Sequence, residues 1–178
     1  SRGFVGKNLC VFLRERQHEV LEVDRTTSES DFLRCLQEAD FVFHLAGINR
    51  PSDPREFQQG NVDLTRFIVE ILEARNSGVP LVLTSSTQAE NDTEYGVSKL
   101  AAEGIVRSYS ATTGAASYIY RLPNVFGKWC KPNYNSFVAT FCFNVHNGLD
   151  ISVHNPEAPV TLVYIDDVCS AFLDLLDG

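Results

Sequence analysis

Leu81-Val82-Leu83-Thr84-Ser85-Ser86-Thr87, followed by Tyr95-Gly96-Val97-Ser98-Lys99, is the stretch that decides the fold. An apolar run that ends in hydroxyls reads as a buried strand, and Tyr-x-x-x-Lys after it reads as the opening of a helix. Tyr95 and Lys99 are four apart, so they share one helix face, one turn from each other. An ammonium beside a phenol favours the phenolate, and Lys99 is expected to lower the Tyr95 pKa from about 10 towards working pH. That would make Tyr95 a usable proton donor or acceptor. A hydroxyl cluster placed before such a pair is an active-site pattern rather than a packing pattern.

Working outward, the apolar positions Val5, Leu9, Phe12 and Leu13 have helical spacing, so a helix is expected from near Phe4. Glu19–Val23 alternates and reads as a strand ending at Asp24-Arg25. Ser30-Asp31 is expected to cap a short helix reaching about Glu38. Asp40–Gly47 reads as a buried strand, and 61–76 as a helix with Leu64, Phe67, Ile68, Ile71 and Leu72 on one face. A helix from Gly96 to about Ser110 and a strand from Ala116 to Leu122 follow. Pro123–Asn135 reads as a loop and 137–147 as a helix. Ile151–Val153 and Val160–Ile165 read as strands, and Asp166-Asp167 caps a last helix to Leu176, with Gly178 at its end. Buried strands alternating with amphipathic helices imply an α/β fold, a Rossmann-type doubly wound parallel sheet.

Composition narrows the function. The chain has 178 residues, 44% hydrophobic and 21% charged, with a net charge of −8. That length supports a real core, and that charge disfavours a general nucleic-acid binder, which needs a basic footprint. No apolar run approaches the roughly 20 residues that span a membrane. Five cysteines without a C-x-x-C pair fit reduced thiols in a cytoplasmic protein. The histidines His18, His44, His146 and His154 lack ligand spacing, so no metal is expected.

Gly3 and Gly6 stand three apart at the mouth of the first helix, and Asp24 ends a strand about 20 residues on, as a dinucleotide-binding turn asks. Such glycines let the backbone approach a pyrophosphate at the helix N-terminus. Asp24 would bond the adenosine ribose, while Arg2 and Arg25 could grip a 2′-phosphate, which favours NADPH over NADH. The first glycine of the pattern would fall just before Ser1, and the strand that should precede the turn is absent. The sequence is therefore expected to be a piece trimmed at its N-terminus.

Gly3-x-x-Gly6, His44-Leu45-Ala46-Gly47, Asn61-Val62-Asp63, Ser85-Ser86, Tyr95-x-x-x-Lys99 and Arg121-Leu122-Pro123-Asn124-Val125-Phe126-Gly127 together resemble the extended short-chain dehydrogenase/reductases over nearly the whole chain. His44–Pro51, Ser85–Ala89 and Phe126–Ser136 are similar, more closely, to the bifunctional capsular-polysaccharide enzymes on the route to UDP-N-acetyl-L-fucosamine. That resemblance implies one reductase domain over 1–178, lacking its first strand and continuing past Gly178, with part of a small substrate-binding region. The cupin epimerase domain of those enzymes has no counterpart here. The implied reaction is NADPH-dependent reduction of the C4 ketone of a UDP-4-keto-6-deoxy-hexosamine, in a cytoplasmic enzyme that is a homodimer when intact. Between Asp24 and the Asp31 helix only a handful of residues stand where the family places another helix and strand, so a shortened sheet is expected there.

The resemblance assigns roles. Tyr95 is the general acid, Lys99 assists it and bonds the nicotinamide ribose, and Ser86 bonds the substrate oxygen, with Thr87 the alternative. Arg2, Gly3, Phe4, Val5, Gly6, Asp24, Arg25, Leu45, Ala46, Gly47, Leu122 and Pro123 would line the cofactor. Asn124, Lys128, Lys131, Asn133 and Asn135, with Ser86 and Thr87, would hold the sugar nucleotide; Trp129 and Tyr134 either anchor the loop or stack on uracil. The rivals are an NAD-dependent epimerase or dehydratase, disfavoured because Gln88 and Ala89 stand where a dehydratase carries acids, and a non-catalytic dinucleotide-binding domain.

Overall fold

The computed structural model describes every residue except Asn76, His154 and Gly178. The expectations that touch those three (a helix end, a non-ligating histidine and a helix-closing glycine) lie outside the described residues. The chain forms two compact units, Leu21–Leu122 and Ser1–Val20 with Pro123–Gly178. Elements are numbered in chain order.

In the first unit, β1 (Val42–His44), β2 (Leu81–Ser86) and β3 (Ser117–Leu122) form a parallel sheet in that order. Val42 pairs with Leu81 and Leu81 with Ser117, so the three carboxyl ends share one edge. β2 is central and buried on both faces, as a strand reading Leu-Val-Leu must be between two parallel neighbours. Leu81 and Leu83 pack with Leu36 of α2 (Glu29–Glu38), Leu72 of α4 (Leu64–Ala74) and Val106 and Tyr109 of α5 (Glu94–Thr113). Truncating Leu83 to alanine there would cost about 2–5 kcal/mol. Tyr109 enters the core because its hydroxyl donates to Val79 O at 2.7 Å.

Several sequence expectations shift here. Glu19–Val23 alternates but joins neither sheet: alternation sorts side chains between two faces and does not supply a neighbouring strand. The α2 cap is Ser28, not Ser30-Asp31; its hydroxyl accepts from the Asp31 N–H at 3.1 Å and donates to the Asp31 carboxylate at 2.7 Å. The helix expected from Asn61 begins earlier: α3 (Arg55–Phe57) runs through a π-helical turn (Gln58–Asp63) into α4. The π turn carries one extra residue per turn, which the 3.6-residue apolar rhythm does not register. β1 is shorter than Asp40–Gly47, and α5 runs from its Thr93 cap, which accepts from Gly96 N at 3.0 Å, to Thr113.

The second unit holds α1 (Phe4–Glu15), β4 (Asn124–Phe126), α6 (Phe137–His146), β5 (Leu162–Tyr164) and α7 (Ile165–Leu173). Leu9 and Leu13 of α1 and Val168, Cys169 and Phe172 of α7 are buried where these helices pack. The expected loop at Pro123–Asn135 opens with β4, which pairs in parallel with β5. Ile151–Val153 is not a strand, and Val160–Ile165 narrows to Leu162–Tyr164 because Ile165 already starts α7. The aspartates sit in the first turn of α7, where they face the helix dipole, and Tyr164 holds the cap position. Among the described residues the architecture is α/β with parallel sheets, one of three strands and one of two.

Candidate active site

Tyr95 enters on the first turn of α5, and its phenol hydrogen-bonds Ser86, the last residue of β2. Ser86 also caps the short 3₁₀ turn Thr87–Glu90, accepting from Gln88 N at 3.1 Å. Its local capping bond and its bond to Tyr95 therefore coexist. Thr87 is exposed one residue on, while Ser85 donates to the buried Glu103 carboxylate at 2.6 Å. Of the three neighbouring hydroxyls, Ser86 is the one that meets Tyr95. Phe57 of α3 packs on the Tyr95 ring, with centroids 5.8 Å apart.

The electrostatics differ from the sequence expectation. Burial raises the Tyr95 pKa, and the Ser86 bond only opposes that rise; Lys99 does not lower it. The reason is where Lys99 points. Lys99 is 4% exposed and its ammonium donates to Thr84 O at 2.6 Å, so it is held against the strand rather than spent on the phenol. Burial pushes the Lys99 pKa down to about 8, with the Glu103 charge acting the other way. A raised Tyr95 pKa keeps the phenol protonated, the state a proton donor needs.

His44, at the end of β1, is buried and pushed down to about 3, by burial first and then by the Lys99 charge. Thr65 gives its hydroxyl proton to Asn61 O at 2.6 Å, so in the 2.9 Å contact between His44 and Thr65 the imidazole Nε2–H donates. His44 is a neutral packed strand residue. Asn61, on the π turn, has no role in the sequence reading, although Asn61-Val62-Asp63 is one of the motifs that carry the resemblance. Its Oδ1 accepts from Ile48 N at 2.7 Å, and its Nδ2 donates to Ile48 O and Ser98 Oγ, both at 2.9 Å. Asn61 thus ties the segment after β1 to the helix that carries Tyr95.

The expected cofactor residues fall in both units. In the sheet unit, Leu45, Ala46 and Gly47 leave β1 at the carboxyl edge, as Leu122 leaves β3, the edge where α/β sheets take ligands. A Cβ on Gly47 would stand 3.2 Å from Asn61 Oδ1 and 3.4 Å from Lys99 Nζ, filling the space beside the ammonium. Asp24 folds on itself: its Oδ1 accepts from Thr26 N at 2.8 Å and Thr26 Oγ1 at 2.7 Å, with exposed Arg25 next to it. In the other unit, Gly3 is the N-cap of α1 without a side-chain cap and without acid in the first turn, and Arg2 is exposed. A Cβ on Gly6 would meet Ser1 O at 2.8 Å, so the turn from Ser1 through Gly6 requires glycine there, with Phe4 and Val5 half-buried beside it. An uncapped N-terminus, small residues and arginine fit a dinucleotide phosphate. Among the described residues there is no cluster of His, Cys, Asp or Glu placed to hold a metal.

The loop after β4 belongs to the same unit as α1. Gly127, Trp129 and Asn133 have φ of +134°, +68° and +55°. Lys128 Nζ lies 4.3 Å over the Trp129 ring, and Asn133 N donates to Thr140 Oγ1 at 2.8 Å. Buried Asn8 of α1 donates to Lys128 O at 3.0 Å and Phe4 O at 2.9 Å. Asn124, Lys128, Lys131, Asn133 and Asn135 are all exposed. Pro123 separates β3 from β4; without an N–H it cannot extend a ladder.

Parallel sheets whose carboxyl edge meets a Tyr-x-x-x-Lys helix fit one class of α/β protein, and the chain belongs to the NAD dependent epimerase/dehydratase family, whose model matches residues 1–178. It is 48% identical, over all of its length and 48% of the relative's, to the UDP-2-acetamido-2,6-beta-L-arabino-hexul-4-ose reductase of Pseudomonas aeruginosa. It resembles the structure of the capsular polysaccharide assembling protein CapF from Staphylococcus aureus, at TM-score 0.88 and 43% identity, covering 99% of this chain and 48% of that one. RMD from P. aeruginosa, complexed with NADPH, aligns at TM-score 0.78 and 25% identity, covering 98% and 71%. The chain thus spans about half the length of the first two relatives.

Proposed function

We propose that this chain is the NADPH-dependent reductase part of an enzyme that reduces the C4 ketone of a UDP-4-keto-6-deoxy-hexosamine, in the synthesis of a capsular or O-antigen precursor such as UDP-N-acetyl-L-fucosamine. The observation that carries the reading is the Ser86–Tyr95 hydrogen bond with buried Lys99 one turn on. The reductase named among the relatives and the NADPH bound to RMD support it. Residues 1–178 act in this reading as one domain of a cytoplasmic homodimer, both inferred from the family resemblance. Among the described residues no helix is long and apolar enough to cross a membrane.

Gly3–Gly6 with Arg2 and Arg25 would hold the cofactor phosphates, Asp24 the ribose, and Ala46-Gly47 the passage beside Lys99. NADPH, when bound, supplies the hydride. Tyr95 hands its proton to the developing alkoxide at C4, and its raised pKa keeps that proton in place until charge develops. Ser86 orients the ketone oxygen towards the phenol. Lys99, protonated below about pH 8, would bond the nicotinamide ribose beside Tyr95. Asn124, Lys128, Lys131, Asn133 and Asn135 would hold the sugar nucleotide, with Thr87 beside the sugar.

The test uses the full-length protein, NADPH and the UDP-linked keto-sugar, followed by loss of NADPH fluorescence. Turnover that stops in Tyr95→Phe is expected. Absence of turnover in the wild type, or unchanged turnover in Tyr95→Phe, would overturn the assignment. A dehydratase is disfavoured further by Glu90, whose carboxylate is engaged by Arg121 at 2.7 Å.

A further inference from the structure

Glu103 lies one turn beyond Lys99 on α5 and is fully buried, yet the proposed mechanism does not use it. A buried carboxylate must be matched by donors. Oε1 accepts from Ser85 Oγ at 2.6 Å and Arg121 Nε at 2.8 Å. Oε2 accepts from Arg121 and Arg107, both at 2.8 Å. The remaining Arg121 arm reaches Glu90 at 2.7 Å, at the end of the 3₁₀ turn that Ser86 caps. One carboxylate therefore gathers the end of β2, the end of β3, α5 and the turn between β2 and α5. Ser86 is one residue from a group it grips, and Lys99 is one helical turn from its own Cα.

We propose that Glu103 is a positioning residue of the reductase: by gripping Ser85 and Arg121 it fixes the Ser86 hydroxyl and the Lys99 ammonium with respect to Tyr95. The inference rests on the reduction reading above. It also has an electrostatic signature. Lys99 faces neutral His44 from β1, the Thr84 carbonyl from β2, Asn61 and Gly47 across from α5, and the protonated Tyr95 on its own helix. Glu103 supplies the negative charge that holds the proton on Lys99 against burial. Arg121 and Arg107 flank that carboxylate, so neutralising it leaves their positive charge to act in the same direction.

The experiment compares full-length wild type, Glu103→Gln and Ser85→Ala. In Glu103→Gln, kcat is expected to fall about ten- to hundredfold with NADPH affinity little changed. The alkaline limb of its pH–rate profile should move to lower pH by about one unit. The midpoint for competitive acetylation of Lys99, read by mass spectrometry without turnover, should move the same way. Ser85→Ala keeps the charge, so its kcat should fall while both pH midpoints stay. A folded Glu103→Gln protein with wild-type kcat and midpoints overturns the proposal. If Glu103→Gln does not fold, Ser85→Ala decides: wild-type kcat there overturns it and reduced kcat supports it. A wild type without turnover counts instead against the reduction reading.

Discussion

The sheet unit and the loop after β4 hold their candidate residues by opposite means. Around Tyr95 the polar groups are buried and fixed by each other: Lys99 on Thr84 O, Asn61 on Ile48 and Ser98, Ser85 on Glu103. Around Lys128 the side chains are exposed, and backbone fixes the shape, through positive φ at Gly127, Trp129 and Asn133 and the Asn8 bond to Lys128 O. Buried networks give the accurate placement that proton transfer needs. A backbone-held loop leaves its side chains able to meet a large polar ligand.

The comparison breaks first if its two sides respond alike to mutation. Tyr95→Phe should lower kcat about 10²–10⁴-fold with KM for the sugar nucleotide nearly unchanged, in steady-state assays of the full-length enzyme. Lys128→Ala with Lys131→Ala should do the reverse, raising KM about tenfold or more at unchanged kcat, as loss of charge-assisted contacts does. A kcat effect from the loop pair would erase the distinction.

Acid titration sharpens it. His44 is held at about 3 against an ordinary 6.5, so the unfolded chain binds a proton that the folded one refuses between those values. Stability should therefore decline as pH falls from about 6.5 to 3, by a few kcal/mol at most. Replacing His44 with glutamine should flatten that decline in urea melts. Lys99 acts with the same sign in an alkaline window. Its folded pKa of about 8 lies below its ordinary 10.5, so a burial penalty is present below 8 and is relieved as pH rises to 10.5. Lys99→Met should then raise stability near pH 7 by about 1–3 kcal/mol while removing turnover. The smallest expected effect is Asn8→Ala, which strands the Lys128 carbonyl: about 1 kcal/mol in stability and a few-fold rise in KM.

The sequence disclosed what repeats along one element. The Leu-Val-Leu run announced β2, and Tyr95-x-x-x-Lys99 announced a helix that carries both residues in its first turns. What it concealed depends on partners distant in the chain. Glu19–Val23 carries a strand's alternation without joining a sheet, and Asn124–Phe126 pairs with Leu162–Tyr164 across a long separation that no local pattern announces. The π turn hid the start of the helix containing Asn61. The Tyr95 pKa went the other way because spacing places Lys99 on the right face but does not say that Thr84 O will take its ammonium.

Asn61 carries one consequence that concerns chemical ageing. Deamidation would turn its Nδ2 from a donor into a carboxylate oxygen, pressed against the Ile48 carbonyl that it now serves. The lesion would repel the segment after β1 and let go of Ser98 while leaving the apolar core beneath intact. A molecule damaged there would keep its fold and lose its alignment, so an old preparation would fade in activity before it faded in melting temperature.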